Sequence, residues 1–151
     1  MLFRSRLIDV MSKQFPEAFI TQYKALIELM SNHPKDRHVL AAAVACKAQV
    51  IVTQNLRDFP QEALAPFEIE AQSADEFLTH LFYIAPEHMV NIIKEQAADL
   101  RNPPKSVTEL LEILAKYVPA FAKLIRKELD NSTVNPIEVR IQAKSYPHTK
   151  E

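Results

Sequence analysis

The amino-acid sequence predicts an α/β fold with a short parallel sheet, followed by a segment that is helical throughout. The first observation is an alanine-rich helix pattern, 39–47, that leads directly into a compact β-branched run, 49–53. This run shows no alternation of apolar and polar residues, which is typical of a strand covered on both faces. The second observation is a further strand–helix pair, 67–83, so that strands and helices alternate as in a parallel layer. The third is purely helical spacing after Pro86.

The N-terminal part of the chain is expected to add elements to this layer. Apolar residues at helical spacing predict a helix from Phe3 to Gln14, which Pro16 ends. The segment Ala18–Thr21 is a short strand candidate. The segment Tyr23–Met30 has the pattern of a second amphipathic helix, with the following residues facing inward: Ala25, Leu26 and Leu29. Pro34 then suits the first turn of the central helix, because its missing N–H is not needed there.

The C-terminal part is expected to be helical and to end in a tail. Two capping boxes, each a serine followed three residues later by glutamate, mark helix starts at Ser73 and Ser106. A single helical turn precedes the second strand at 61–64, and the helices expected after it are 74–83, 86–100, 107–118 and 121–129. We therefore expect an α/β domain over residues 1–85, a helical extension over 86–130 and a flexible tail over 131–151.

Composition limits the classes of function. The chain has 151 residues, and its longest apolar runs are far shorter than the ~20 residues of a transmembrane helix. The net charge of −1 provides no global field for a polyanion, so contact with nucleic acid requires a local patch. The absence of glycine excludes a P-loop, a dinucleotide-binding turn and a nucleophile elbow. The single cysteine, Cys46, excludes an internal disulfide and favours a cytoplasmic location.

Polar side chains occur at two places that an α/β fold brings together. Asp36 falls in the first turn of the central helix, and Asn55 and Asp58 follow the central strand, where such folds place ligands. The presence of each residue also has an ordinary structural explanation. Asp is favoured at helix starts, and both Asn and Asp commonly form turns. Their conjunction predicts a site for Mg²⁺, which takes one or two carboxylates plus waters and activates water on a phosphodiester. The flanking cations, which are either solvated surface charge or phosphate contacts, are Lys35, Arg37 and Arg57.

A specific motif runs through this central region, HPKDRHVLAAAVACKAQVIVTQNLRDFP at residues 33–60. It closely resembles PIN-domain nucleases, in particular the branch with a D-R-H-V-L-A-A-A helix and a V-T-x-N-L-x-D-F-P loop. The likeness extends over residues 15–130. The resemblance implies an α/β/α sandwich, a Mg²⁺ or Mn²⁺ site of clustered acidic residues, and cleavage of single-stranded or structured RNA. Many such relatives are VapC-type toxins that a cognate antitoxin holds inactive.

The resemblance also assigns roles to individual residues. By position, Asp36 is the acidic ligand at the helix start, and Asn55 and Asp58 are the amide and carboxylate after the last strand, with Thr53 beside the site. A complete PIN domain opens with a strand bearing an aspartate and continues with helices bearing a glutamate, and neither segment is found in this sequence. We therefore expect a truncated PIN-like α/β/α sandwich with a weakly bound metal and an unpaired edge on the central strand.

Two hypotheses about function follow. The first is a Mg²⁺-dependent endoribonuclease of toxin–antitoxin type, impaired by the missing carboxylates, that acts on RNA through Asp36, Asn55 and Asp58. The alternative is a PIN-derived module without catalytic activity, or a gene fragment. Such a module would pair with an antitoxin-like partner, or with a second copy through the exposed sheet edge. No membrane association is expected in either case.

Overall fold

The computed structural model describes residues 2–134, with side-chain environments for residues 8–132. The chain forms two compact units, one ending at Ser73 and the other starting at Ala74, which we call the α/β unit and the helical unit. The fold class is mixed α/β, mostly helical with a short parallel sheet, and this confirms the predicted class. No helix in the described part of the chain is long and apolar enough to cross a membrane.

The α/β unit alternates short helical segments with two strands in its described residues. Its elements in chain order are α1 (Leu2–Gln14), 3-10 segments at Pro16–Ala18, Lys24–Leu29 and Pro34–Asp36, α2 (Arg37–Ala45), β1 (Val50–Val52), a 3-10 turn at Leu56–Asp58, α3 (Gln61–Leu64), a 3-10 turn at Ala65–Phe67, and β2 (Glu70–Gln72). The strands pair in parallel, with Ile51 opposite Ala71. The predicted parallel layer is therefore present, with three residues in each strand.

The core of the α/β unit lies where α2 packs against β1 and the 3-10 segment Lys24–Leu29. The small side chains of Ala41 and Ala43 are buried beside Leu40, so the helix backbone can approach the sheet closely. The other buried apolar residues of this core are Met30, Ile51, Phe59, Ala63, Leu64 and Ile69. This packing fixes the start of α2 relative to the end of β1, which are the two places that carry the candidate site.

Two predictions about strands are wrong. The strand expected at Ala18–Thr21 does not form, because Phe19 has an extended backbone (φ −96°, ψ 99°) but no strand pairs with it in the described sheet. The central strand is not covered on both faces, since Ile51 is buried whereas Val52 is 45% exposed. An apolar run without alternation therefore did not distinguish a buried strand from one with an exposed face.

The second N-terminal helix also differs from its prediction. The segment Tyr23–Met30 contains a 3-10 helix, Lys24–Leu29, in place of an α-helix. Leu26 is half-buried as expected, but Ala25 is exposed and Leu29 is 71% exposed. A 3-10 helix has three residues per turn, so the face inferred from α-helical spacing does not hold.

Among the described residues, Lys47 (φ 57°) and Glu68 (φ 56°) have a left-handed backbone. Glu68 directly follows the 3-10 turn Ala65–Phe67, and Lys47 follows Cys46, the C-cap of α2. After α2, the N–H of Ala48 donates to the carbonyl of Ala43 at 2.9 Å, which is the long hydrogen bond of a Schellman ending. Glycine usually fills this position, and a residue with a Cβ pays about 1–2 kcal/mol there.

Replacing Lys47 or Glu68 with glycine is expected to raise the free energy of unfolding of the α/β unit by about 0.5–1 kcal/mol. Glycine removes the Cβ clash, and its larger entropy in the unfolded chain offsets part of the gain. Thermal denaturation of the purified variants measures the effect. The control is Ala45→Gly in the last position of α2, which should be destabilising. Destabilisation by all three substitutions would contradict the assigned backbone.

The helical unit has four helices in its described part: α4 (Ala74–Ile84), α5 (Pro86–Asp99), α6 (Val107–Leu114) and α7 (Pro119–Val134). They enclose a core of Phe82, Met89, Val90, Ile93, Ala97, Leu110, Leu111, Val118, Phe121, Ala122 and Ile125. Helix α4, which the sequence analysis grouped with the α/β part, packs against α5 and α7. Helix α7 includes residues 131–134, and the rest of the predicted tail, 135–151, lies outside the described residues.

The capping box predicted for α6 is confirmed. The Ser106 hydroxyl accepts a hydrogen bond from the Glu109 N–H at 3.2 Å, and the Glu109 carboxylate accepts one from the Ser106 N–H at 2.8 Å. The backbone N–H and then the hydroxyl of Ser106 hold the pKa of Glu109 below its usual value. Since the folded-state pKa is depressed, this contribution to stability is present at neutral pH and is lost as the pH falls through that pKa.

Candidate functional site

The candidate site lies where the chain enters α2 and leaves β1. Asp36 ends the 3-10 turn that precedes α2 and occupies the N-cap position of that helix. Asn55 and Asp58 lie in the loop after β1, whose last residues form the 3-10 turn Leu56–Asp58. Asn55 and Asp58 thus lie after the central strand as predicted, whereas Asp36, predicted in the first turn of the helix, lies at the N-cap before α2.

Hydrogen bonds to the Asp58 carbonyl hold the two loops together. The Asp58 carbonyl accepts from the His33 N–H and from the Asn32 side-chain amide, each at 3.3 Å. The His33 carbonyl in turn accepts from the Asp36 N–H at 2.9 Å. Because one carbonyl joins both loops, the position of Asp58 is set by the residues immediately before α2.

The side chains of the candidate residues converge on the Asp58 carboxylate. Asn55 donates its amide Nδ2 to Asp58 Oδ2, and Lys35 Nζ lies 3.6 Å from the same oxygen. The Asp58 side chain is 15% exposed, whereas that of Lys35 is 68% exposed. The Thr53 hydroxyl accepts a hydrogen bond from the Asn55 N–H at 3.1 Å, which orders the start of the loop. The amide thus orients the carboxylate, and the lysine supplies a positive charge at its rim.

Asp36 completes the group. A side-chain hydrogen bond with Asp36 is the main reason that the pKa of Asp58 is lowered. Burial opposes this shift, while the charges of His33 and Lys35 and the hydrogen bond from Asn55 add to it. Asp58 is therefore ionised at neutral pH. Its contribution to stability is lost only as the pH falls through this lowered pKa.

The three flanking cations differ in their contacts and in their exposure. Arg37 is half-buried, and its Nε donates to the Asn32 carbonyl at 3.3 Å, so it supports the loop before α2. Arg57 is exposed on the turn Leu56–Asp58. The structure thus brings Lys35 to Asp58, gives Arg37 a contact within the protein and leaves Arg57 at the surface.

Sequence reasoning missed Asn32 as part of this site. Asn32 is only 2% exposed, and besides its bond to Asp58 it has a buried Oδ1 without a hydrogen-bond partner among the described residues. In the sequence it belongs to the polar triplet 31–33, which predicts only a loop. No local signal distinguishes a buried asparagine in such a triplet from an exposed one.

The donor set determines what kind of metal site is possible. No group of three or more His, Cys, Asp or Glu side chains that could hold a metal ion occurs among the described residues. The carboxylates that converge are Asp36 and Asp58, both hard oxygen donors. This set fits Mg²⁺ bound by one or two carboxylates with waters and substrate phosphates, and it does not form an all-protein cage.

Comparisons with known proteins show what parts of the chain are similar to. Residues 74–127 match the family model described as the VapC50 C-terminal domain. A relative from Mycobacterium tuberculosis, named the putative ribonuclease VapC50, is 43% identical over 110 residues. The aligned region is 73% of this chain and 65% of the relative's length. Both similarities agree with the resemblance to VapC-like PIN-domain proteins that the central motif indicates. No solved structure matches the chain.

Proposed function

We propose that this chain acts on RNA as a VapC-type ribonuclease, through a site formed by Asp36, Asn55 and Asp58 that binds Mg²⁺ or Mn²⁺. The observation that carries the proposal is the convergence of two carboxylates and an amide at the end of a parallel strand. The similarity to a protein named as a ribonuclease supports the reaction class.

The residues of the site have distinct roles in this reaction. Asp58, ionised at neutral pH and oriented by the Asn55 amide, is the principal metal ligand, and Asp36 is the second. A divalent cation at this position supplies a Lewis acid for the phosphate and lowers the pKa of a bound water. The cations that contact phosphate oxygens are Lys35 and Arg57, with the Thr53 hydroxyl nearby.

Arg37 receives a different role in this proposal from the one first expected. Because its Nε already donates to the Asn32 carbonyl, we assign it to the support of the loop before α2. Two carboxylates bind Mg²⁺ weakly without further oxygen ligands, so we expect the metal to bind mainly together with RNA phosphates.

The test is cleavage of single-stranded RNA in Mg²⁺ or Mn²⁺. We expect Asp36→Asn and Asp58→Asn each to lower the cleavage rate by about 100-fold or more, since each removes a negatively charged ligand. The control, Asp99→Asn, alters an aspartate at the end of α5, outside the site, and should cleave normally. Cleavage that persists in excess chelator, or in both site variants, would overturn the metal assignment. A wild-type chain without cleavage would overturn the proposal.

A second candidate function rests on the exposed side of the sheet. Val52 of β1 is 45% exposed, and the two strands have no further strand neighbours in the described part of the chain. We propose as the alternative a non-catalytic module that pairs through this edge with an antitoxin-like partner or a second copy. Sedimentation over a range of protein concentrations tests whether two copies of the chain associate. A monomer at high concentration that binds no hydrophobic dye would count against this function.

A further inference from the structure

One segment of the helical unit differs in charge from the rest of the chain. Residues 113–127 contain no Asp or Glu, and they carry the cations Lys116, Lys123, Arg126 and Lys127. The chain as a whole has a net charge of −1. The local patch that contact with nucleic acid would require in such a chain is therefore present in this segment.

The structure places these cations on the outside of the helical unit. Helix α7 buries Phe121, Ala122 and Ile125 in the core. Its exposed residues include Lys123 and Lys127, which are one turn apart on the same face. Arg126 is exposed beside them, and Lys116 is exposed in the turn before α7. We call these four cations, together with Tyr117, the α7 basic surface.

Tyr117 gives this surface an exposed aromatic ring. Its side chain is 69% exposed, whereas the next residue, Val118, is 5% exposed and belongs to the core. Aromatic rings on basic surfaces stack on the bases of single-stranded nucleic acids without requiring a particular sequence. Tyr117 directly follows Lys116, so a stacking group and a phosphate-binding group are adjacent.

Elsewhere in the helical unit, a surface lysine lies among carboxylates, as surface cations commonly do. On α5, Lys94 lines a groove that it shares with the carboxylates of Glu87 and Glu128. The four cations of the α7 basic surface form no ion pair with a carboxylate among the described residues. Arg126 is the exception within the surface, because it lines a groove together with Asp130. The three lysines of the α7 basic surface therefore remain available to a polyanion.

We propose that the α7 basic surface binds a few nucleotides of single-stranded RNA, with Tyr117 stacked on a base and the lysines and arginine on neighbouring phosphates. This inference rests on the proposed function, which makes RNA the substrate of this chain. An acidic protein would satisfy the cations but would give the exposed tyrosine no base to stack on.

The test is fluorescence anisotropy of a short labelled oligouridylate in the presence of chelator, which prevents metal-dependent cleavage. If three phosphates are contacted, log Kd should change with log salt concentration with a slope of about 2. The double variant Lys123→Gln with Lys127→Gln should reduce this slope by about 1.4. Tyr117→Ala should weaken binding by roughly 5- to 100-fold, with the salt slope unchanged. All three side chains are exposed, so circular dichroism should show unchanged folding.

The matched control is Lys94→Gln, which removes an exposed lysine of the same unit from mixed-charge surroundings and should bind RNA as the wild type does. Wild-type affinity and salt slope in the double variant would overturn the inference. Equally strong competition by polyglutamate, or no RNA binding by the unaltered chain, would also overturn it. Asp36→Asn separates the two proposals: normal RNA binding with unchanged cleavage would remove Asp36 from the proposed metal site and leave the RNA-binding role of the α7 basic surface intact.

Discussion

Replacing Asn32 with aspartate is expected to lower the free energy of unfolding of the α/β unit by about 2–4 kcal/mol at neutral pH. The change alters few atoms, but it replaces the amide that donates to the Asp58 carbonyl with a carboxylate that cannot donate. Asn32 is 2% exposed, so the new charge would be buried against the carbonyl oxygen of Asp58. The nearby Arg37 guanidinium offsets part of this cost, which is why the expected value lies below that of an isolated buried charge.

The loss of stability in Asn32→Asp should depend on pH in a defined direction. Burial raises the pKa of the introduced carboxyl in the folded state above its unfolded value. The destabilisation is therefore largest above the folded-state pKa and shrinks by about 1.4 kcal/mol per pH unit as the pH falls below it. Once protonated, the group can again donate to the Asp58 carbonyl, as the asparagine amide does. Urea denaturation of the variant and the wild type at several pH values measures this difference.

Asn32→Leu is the matched control, because it has a similar volume and no charge. It loses the hydrogen bond to Asp58 but also removes an Oδ1 that is buried without a partner among the described residues, so its stability should lie within about 1 kcal/mol of the wild type. Amide hydrogen exchange at His33, whose N–H bonds to the Asp58 carbonyl, should be faster in both variants. An Asn32→Asp protein as stable as the wild type at neutral pH would contradict the burial of this side chain.

The convergence of Asp36 with Asn55 and Asp58 could be predicted from the sequence. Each inference that leads to it depends on local chemistry or on the general topology of α/β folds. Pro34 and Asp36 mark a helix start, and the β-branched run marks the strand before Asn55. Parallel α/β packing then brings the start of the helix and the end of the strand to the same edge. Predicting that these three residues converge required no knowledge of individual side-chain contacts.

The support of the site could not be predicted, because it depends on burial and on contacts between separate segments. Asn32 and Arg37 are polar residues in or beside a loop, and only the folded structure shows that one is buried and the other donates to its carbonyl. The exposed face at Val52 is a similar case, since an apolar strand does not show how many layers cover it. Lys47 and Glu68 take left-handed positions that sequence rules assign to glycine, which this chain lacks.

Asp75 provides the clearest case of a long-range contact that sequence rules miss, and its removal should have a large effect on the helical unit. Its carboxylate accepts hydrogen bonds from the N–H groups of Ala120 and Phe121, at 3.0 Å and 2.9 Å. Pro119 has no N–H, and the Ala122 N–H donates to the Val118 carbonyl at 3.0 Å. The N–H groups of the first turn of α7 are therefore satisfied by one side chain from α4.

Replacing Asp75 with alanine is expected to lower the free energy of unfolding of the helical unit by about 2 kcal/mol. The loss combines two hydrogen bonds to a charged acceptor with the favourable position of a negative charge at a helix N-terminus. Asp75→Asn keeps one acceptor oxygen without the charge, so it should cost about half as much. Thermal denaturation measures both variants, and hydrogen exchange at Ala120 and Phe121 should accelerate in the alanine variant.

The position of Asp75 explains why the two ends of the helical unit should unfold together. It lies in the first turn of α4 and closes the first turn of α7, so that loss of either helix exposes the backbone donors or the carboxylate of the other. Glu95→Ala, which removes an exposed carboxylate from the middle of α5, is the control and should change stability by less than about 0.5 kcal/mol. If Asp75→Ala were no more destabilising than Glu95→Ala, α7 would have to be capped by water alone, and α4 and α7 would be coupled only through their apolar core.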